Sequence, residues 1–540
     1  MAHLVCPIPT VPGAGEAPLI PDINLASKDT SAAAATDGKS GEHEYKPPRS
    51  ILIIGSGVFG LSTALSLTRR PEIPPSTPIT VVDRSPEPGV FPARDAASID
   101  SSRIIRADYA DAAYSRLAGE AQSHWRRGRH DPDALGGDGR YSESGLLLAA
   151  NAGPHSATVR PDGHPTGLGY TKRSWVNALA LAHAEGRPLS SVRLLPVPFA
   201  IGKATGTGGE WADWGYLNTT AGWADAEKSM RWLYDRVVKT GRVTFVNGTV
   251  EALETQTGET PAEAPRVTGA RLSDGRSLSA ELVIVAAGAW TPSLVDLSGQ
   301  AVATGQCLAY LRLTEAEEAK LANMPVCLNL TDGCFAIPPR DGVLKIARHA
   351  YGYLNPRPVS HEPLGLSPRP KDENDGLAVK RVSQPRTHLT DPSLSIPTEA
   401  ASDLRRALRR MIPWPELAER PFFKTRLCWY TDTATGDWII DYHPSYKNLF
   451  VATGGSGHAF KFLPILGDKV VDCLLGIYPD KFREKWKWKA GAVIRPNPND
   501  SEGERNEGQE ETLAEDLAIE LLVATEDGSR GGKPGLILLD

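Results

Sequence analysis

One short stretch constrains this chain more than any other. Residues 51–54, ILII, form a β-branched apolar run, and Gly55-Ser56-Gly57-Val58-Phe59-Gly60 follows without a break. Val58, Leu61, Leu65 and Thr68 then recur at helical spacing until Arg69-Arg70 and Pro71 end the period. Strand, glycine turn and helix in this order is the context that a G-x-G-x-x-G match requires. Gly55 permits the tight turn, Gly57 lets a pyrophosphate approach the backbone, and Gly60 lets helix and strand close together. The helix then presents unpaired N–H groups to the phosphates. A second strand, ITVVD, ends at Asp83, whose carboxylate suits adenosine ribose hydroxyls and repels a 2′-phosphate. These residues predict a dinucleotide site.

A third strand of the same layer is expected much later, in Leu282-Val283-Ile284-Val285-Ala286-Ala287-Gly288, behind a hairpin signalled by Asp274-Gly275. Strands this far apart in sequence require another domain inserted between them. At 540 residues the chain has length for two domains.

Composition narrows the alternatives. The chain is 41% hydrophobic and 23% charged, with no apolar run approaching the ~18 residues of a membrane span. The first residues lack the basic and apolar regions of a secretory signal, so an intracellular, cytoplasmic protein is expected. Six cysteines without CxxC pairing predict reduced thiols and no metal site. The net charge is −6, and residues 499–516 alone contribute 1 − 8 = −7. The remainder is near neutral and carries no electrostatic footprint for nucleic acid. Residues 1–47 and the acidic stretch read as disordered. Leu513, Leu517 and Leu521 are spaced for a short amphipathic helix, read as a loosely docked tail. The stretch KFREKWKWK, 481–489, reads as a helix end whose indoles cover the body.

Four segments carry candidate chemistry. In Ser101-Ser102-Arg103-Ile104-Ile105-Arg106-Ala107-Asp108-Tyr109, a guanidinium fork can grip a carboxylate with two parallel hydrogen bonds. Unaided, these arginines read equally as surface partners of Asp108 and Asp111. The following helix has Tyr114, Leu117, Ala121 and Trp125 as its apolar face. In Val343-Leu344-Lys345-Ile346-Ala347-Arg348-His349, Lys345 and His349 share a strand face roughly 13 Å apart. Alone this reads as a solvated edge. Cys428-Trp429-Tyr430-Thr431-Asp432-Thr433 holds a lone cysteine, usually inert packing. Gly454-Gly455-Ser456-Gly457-His458-Ala459-Phe460-Lys461 opens a second helix with Ile465, Leu466, Val470 and Leu474 as apolar positions.

Together these segments make residues 50–476 resemble the FAD-dependent amine oxidases of the monomeric sarcosine oxidase group, within the D-amino-acid-oxidase-like fold. Fungal fructosyl-amino-acid, saccharopine and N-methyl-amino-acid oxidases belong to the same group. The resemblance implies an α/β (α+β overall) architecture: a Rossmann-like FAD-binding domain with an inserted mixed β-sheet substrate domain. It assigns 48–105, 210–300 and 425–480 to the first, 106–209 and 301–424 to the second, and 481–540 to a carboxyl-terminal extension. Arg103 then lies over the flavin, and Arg106 and Lys461 hold the substrate carboxylate. Lys345 promotes reaction with dioxygen, with His349 and Tyr430 near substrate and Cys428 bonded through sulfur to the flavin. Val58, Phe59, Arg84, Ser102, Val250, Ala287, Gly288, Gly455, Ser456, Gly457 and His458 complete the cofactor contacts.

The expected activity is oxidation of a C–N bond in an amino-acid-like, secondary amine, with dioxygen as acceptor and a monomer as the favoured state. An amine dehydrogenase with a protein or quinone acceptor, and a non-catalytic FAD-binding protein, are the alternatives. Phe335 stands where bacterial sarcosine oxidases have tyrosine, and the insertion at 355–400 reads as a lid or, in preference, an ordinary surface loop.

Overall fold

The computed structural model describes residues 46–489 and 529–538, apart from 86–90, 153–156, 162, 259, 261, 360, 362, 366–380 and 533. The acidic stretch, its leucine-spaced helix and residues 1–45 lie outside the described residues.

The glycine turn sits where its sequence places it. Strand Ile51–Ile54 is fully buried and runs parallel to Ile79–Asp83 on one side and Leu282–Val285 on the other. Val243–Asn247 extends this sheet in parallel beyond Ile79–Asp83. Leu449–Thr453 adds a parallel strand on the far side, and Ile439–Tyr442 closes that edge antiparallel. Parallel strands buried on both faces explain the continuous apolar runs that mark them in the sequence.

Two helices cover this sheet. Val58–Leu67 follows the glycine turn, and Leu463–Leu474 lies against it. Their approach is close enough that a Cβ on Gly467 would sit 1.9 Å from the Ser62 carbonyl oxygen. Ser66 Oγ donates to Asp468 Oδ1 at 2.6 Å across the same contact. All four apolar positions expected on the later helix are buried. The Asp274-Gly275 hairpin also forms, between Arg266–Leu272 and Ser277–Ser279.

The inserted layer is a ten-stranded mixed sheet. Its centre is Ala301–Arg312, a twelve-residue strand flanked antiparallel by Val343–Arg348 and Lys424–Thr433. Trp214–Asn218 belongs here too, pairing with Leu146–Ala150. It and Lys424–Thr433 fall within the stretches expected in the FAD-binding domain, yet their ladder hydrogen bonds run in this sheet. Arg103–Ile105 pairs with Gly222–Ala224 in a small separate sheet.

Two peripheral segments differ from expectation. The 355–400 insertion is not simply a surface loop. Pro356–Pro358 pairs with Arg381–Ser383, and Ser383 and Thr387 are buried. Ser383 Oγ donates to the Ala303 carbonyl at 2.6 Å, so the insertion is pinned to the central strand. At the other end, the carboxyl-terminal extension contributes structure to the body. Leu536–Ile537 adds a parallel strand beside Tyr353–Leu354. The 481–489 stretch does cover the body with its indoles: Trp486 is fully buried and donates to Tyr114 Oη at 3.0 Å.

Candidate active site

Where the glycine turn meets the ten-stranded sheet, three connected cavities open. The first, about 440 Å³, runs from the turn past Asp83, Arg84, Val250, Ala287 and Gly288 to Tyr430 and Gly455–His458. Gly55 adopts φ +102°, and any Cβ there would lie 2.5 Å from the Ala286 carbonyl oxygen. At Gly60 a Cβ would sit 1.8 Å from the Gly55 oxygen, whereas at Gly57 it would meet only Ser98 Oγ, at 3.9 Å. The turn is therefore tight where it packs and open where it faces the cavity. Its helix has no side-chain amino-terminal cap, which leaves the dipole end open toward that space.

Asp83 does more than line the cavity. One carboxylate oxygen accepts from the Ser56 amide at 2.9 Å and its hydroxyl at 2.5 Å, and the other from the Arg84 amide at 2.8 Å. Burial raises its pKa despite these donors. Arg84 lies over the Trp290 ring at 4.3 Å and donates to Asp95 at 2.7 Å. Asp95 Oδ1 and Ser98 Oγ line the same cavity, buried and without hydrogen-bond partners. Buried polar atoms are rarely left so unless a ligand satisfies them. The donors, the open glycine face and these orphans fit a dinucleotide. Val359, His361 and Gln384 of the insertion form part of the wall.

The second cavity, about 500 Å³, and a smaller third of about 80 Å³ adjoin the first. His458 lines all three, and Arg106 and His349 face both the second and the third. Arg106 is buried, with its guanidinium over the Tyr109 ring at 4.9 Å and Nη1 lacking any hydrogen-bond partner. Lys461 is also buried and donates to Tyr109 Oη and to the His458 carbonyl, each at 2.9 Å. Burial, then Arg106, drives the Lys461 pKa well below its ordinary value. Tyr109 in turn contacts His458 Nδ1 at 2.9 Å, while His458 Nε2 faces the Gly436 carbonyl at 2.8 Å. That pattern fits a neutral His458, consistent with a pKa pushed far down by burial and Lys461. Asp108 does not balance Arg106 directly: it accepts from Tyr216 Oη at 2.9 Å and Asn218 Nδ2 at 3.0 Å. Asp111 caps the helix Ala112–Arg127. Neither acid holds the arginines as a surface pair.

Lys345 and Cys428 face the third cavity. Lys345 Nζ lies 2.5 Å from Asp100 Oδ2 and 2.9 Å from the Ser102 carbonyl oxygen. Arg103 Nη1 reaches the same Asp100 oxygen at 2.5 Å, and Tyr310 Oη donates to Oδ1 at 2.7 Å. These partners and Arg426 hold Asp100 ionised, well below the usual carboxylate range, against its burial. Burial brings Lys345 down to about 8, even with Asp100 opposing the shift. Arg103 Nη2 also donates to Cys428 Sγ at 3.5 Å. Another buried thiol, Cys334, lies on the opposite face of its strand from Phe335, which lines the cavity.

Two site residues have no counterpart in the sequence reading. Asp100 lies just ahead of the arginine segment, and nothing local marks it as an ion-pair partner of Lys345. Arg530 arrives from the carboxyl-terminal extension and lines the second cavity with Arg106 and His349.

The geometry agrees with what the chain is similar to. Residues 50–473 match the model of the DAO family, described as FAD dependent oxidoreductase. This chain belongs to that family. FAD is accordingly its cofactor. An amino acid oxidase of Aspergillus flavus is 34% identical over 79% of this chain and 93% of its own length. The L-saccharopine oxidase of Schizosaccharomyces pombe is 28% identical over 82% and 93%. Among solved structures, the fructosamine oxidase of Aspergillus fumigatus superimposes with a TM-score of 0.65 at 26% identity, covering 91% of this chain and 95% of its own. Among the described residues, no helix is long and apolar enough to cross a membrane.

Proposed function

We propose that this FAD-dependent oxidoreductase oxidises the C–N bond of an amino-acid-like secondary amine, as the names of its relatives suggest. When bound, FAD would supply the two-electron oxidant for that bond, with dioxygen as the final acceptor. The amine loses a hydride equivalent and becomes an iminium. Water hydrolyses this to a carbonyl compound and a smaller amine, and dioxygen leaves as hydrogen peroxide.

The observation that carries this reading is the buried, unpartnered Nη1 of Arg106 beside Lys461. A buried cation with an unpartnered donor, beside a lysine whose charged form is disfavoured by burial and by that cation, is costly unless a ligand supplies an anion that both can hold. Arg106 and Lys461 hold the substrate carboxylate. Their charges also favour the uncharged amine over the ammonium, and only the uncharged amine has a lone pair to release. His349 and Tyr430 bound the space beside that carboxylate. Lys345, fixed by Asp100 and the Ser102 carbonyl, keeps a cation at the third cavity. There an ammonium stabilises negative charge developing on reduced oxygen. Arg103 and Cys428 line the other side, and the Arg103 contact to Cys428 Sγ supports Cys428 as the thiol that bonds the flavin. We further propose that the dinucleotide-binding unit comprises the parallel sheet and its two helices, with the ten-stranded sheet forming the substrate side.

The test is a peroxide assay on purified yellow protein with N-methyl amino acids, pipecolate, saccharopine and fructosyl amino acids. Peroxide from at least one is expected. Flavin reduction by these amines without peroxide in air would instead indicate a dehydrogenase.

A further inference from the structure

The carboxyl-terminal extension enters the active site. Its last described residues, 529–532 and 534–538, run beside residues 349–354. Leu536 and Ile537 pair in parallel with Tyr353 and Leu354, and the Leu538 amide donates to the Leu354 carbonyl at 2.8 Å. Leu536 and Leu538 pack on the main apolar cluster of the substrate side. Gly531 bridges to Ala350 and approaches Asp332-Gly333 so closely that a Cβ would lie 2.2 Å from the Asp332 carbonyl carbon. This register leaves Arg530 pointing inward, 7% exposed.

Inside, Arg530 is held on several sides. Nη2 donates to Asp432 Oδ1 at 2.5 Å and to the Ser456 carbonyl at 2.9 Å. The guanidinium lies 5.2 Å from the centroid of the Tyr430 ring. The other arm, Nη1, lies 3.3 Å from His349 Nδ1 and 3.4 Å from the Ala350 carbonyl oxygen. A guanidinium is always a donor, so His349 Nδ1 must accept and the ring proton must sit on Nε2.

We infer that Arg530 is a positioning residue of the substrate site, delivered by the carboxyl-terminal strand, which fixes His349 as the neutral imidazole with its proton on Nε2. The inference rests on the function proposed above, because His349 matters through the ligand it borders. The charged and titratable groups that act most on His349 are Arg530, Arg106, Lys461 and His458, with the Tyr430 ring 5.8 Å away. None of the four is an acid. Burial is the largest cause of its depressed pKa, and Arg530 is the next. With Arg530 in place the site therefore keeps the Arg106 cation and disfavours one at His349.

Acetate, titrated into the flavin-loaded full-length protein and followed by the flavin absorbance, reads this directly. In the wild type, the ratio of acetate affinity at pH 5.5 to that at 7.5 sets the reference, since Arg530 is not among the groups that shift Lys461. In Arg530→Met the donor to His349 Nδ1 and one of the cations that oppose its charge are both lost, so that ratio should rise at least about threefold. Arg530→Lys keeps a cation opposite Asp432 and should restore the wild-type ratio. Arg530→Met strands the buried Asp432, so the same titration on Arg530→Met/Asp432→Asn guards against a folding defect, with flavin content as the check. A ratio unchanged from the wild type in both methionine variants overturns the assignment. Acetate binding does not require turnover, so failure of every amine in the peroxide assay leaves this result legible.

Discussion

Lys345 Nζ and Asp100 Oδ2 are 2.5 Å apart and nearly sealed from solvent, 4% and 3% exposed. Arg103 shares the same carboxylate, so two cations converge on one anion and the cluster keeps a net positive charge. Removing the anion alone would leave two buried like charges. Asp100→Asn should therefore destabilise the protein by about 3–5 kcal/mol, the usual cost of breaking a buried pair by deleting one partner. Denaturant unfolding of the flavin-loaded protein measures it, and a loss below about 1 kcal/mol would show that the cluster is not held together by that charge.

Lys345 has a pKa of about 8 because burial disfavours its ammonium. Its charged form is present below that value and is lost as pH rises through it. If that ammonium assists dioxygen, air reoxidation of reduced protein should slow as pH passes about 8. Lys345→Met should remove the dependence and slow reoxidation by ~10²-fold, typical of losing one preorganised electrostatic group. Anaerobic reduction by substrate should persist. Stopped-flow measurement of the two half-reactions separates these outcomes, and an unchanged reoxidation rate in the methionine variant rejects the role.

Arg106→Ala and Lys461→Ala should each raise KM steeply while flavin stays bound, a loss on the order of 2–4 kcal/mol for a desolvated charged contact. A carboxylate-free amine should be nearly indifferent to either change. The depressed pKa of Lys461 adds a second signature. A bound carboxylate restores the ammonium, so carboxylate binding should take up a proton at pH values above the lysine's free-state pKa. Calorimetry in two buffers of different ionisation enthalpy reports that uptake. Normal saturation in both alanine variants would place the carboxylate elsewhere.

What the sequence revealed was what local patterns encode. The glycine turn, its flanking strands and the apolar faces around Tyr114 and Leu466 each follow from residues within a few turns of one another. The RIIR and glycine-rich segments were visible as motifs because their spacing is short. Asp100 was not, since its meaning depends on Lys345, 245 residues away, arriving on a strand of the ten-stranded sheet. Arg530 was hidden for the same reason: its partners Asp432, Ser456 and His349 come from three separate segments. The sheet membership of Trp214–Asn218 escaped because a short apolar strand, buried at four consecutive positions, fits either layer until its partner is known. In the insertion, Ser383 and Thr387 are polar residues buried by hydrogen bonds, which hydropathy reads as surface.

The sulfur link at Cys428 can fail outright. Cys428 Sγ faces the third cavity within reach of Arg103, whereas Cys334 sits among apolar neighbours on the far face of its strand. Burial pushes the Cys334 thiol well above its ordinary pKa, which suppresses the thiolate that any attack on a flavin carbon requires. Acid precipitation of the wild type should leave the yellow colour in the pellet. Cys428→Ala should release it to the supernatant, and Cys334→Ala should behave as wild type. Intact mass should carry an added FAD that disappears only in the Cys428 variant. Flavin released by the wild type itself would show that Cys428 packs without bonding, and the cavity, its cations and the redox assignment would stand without it.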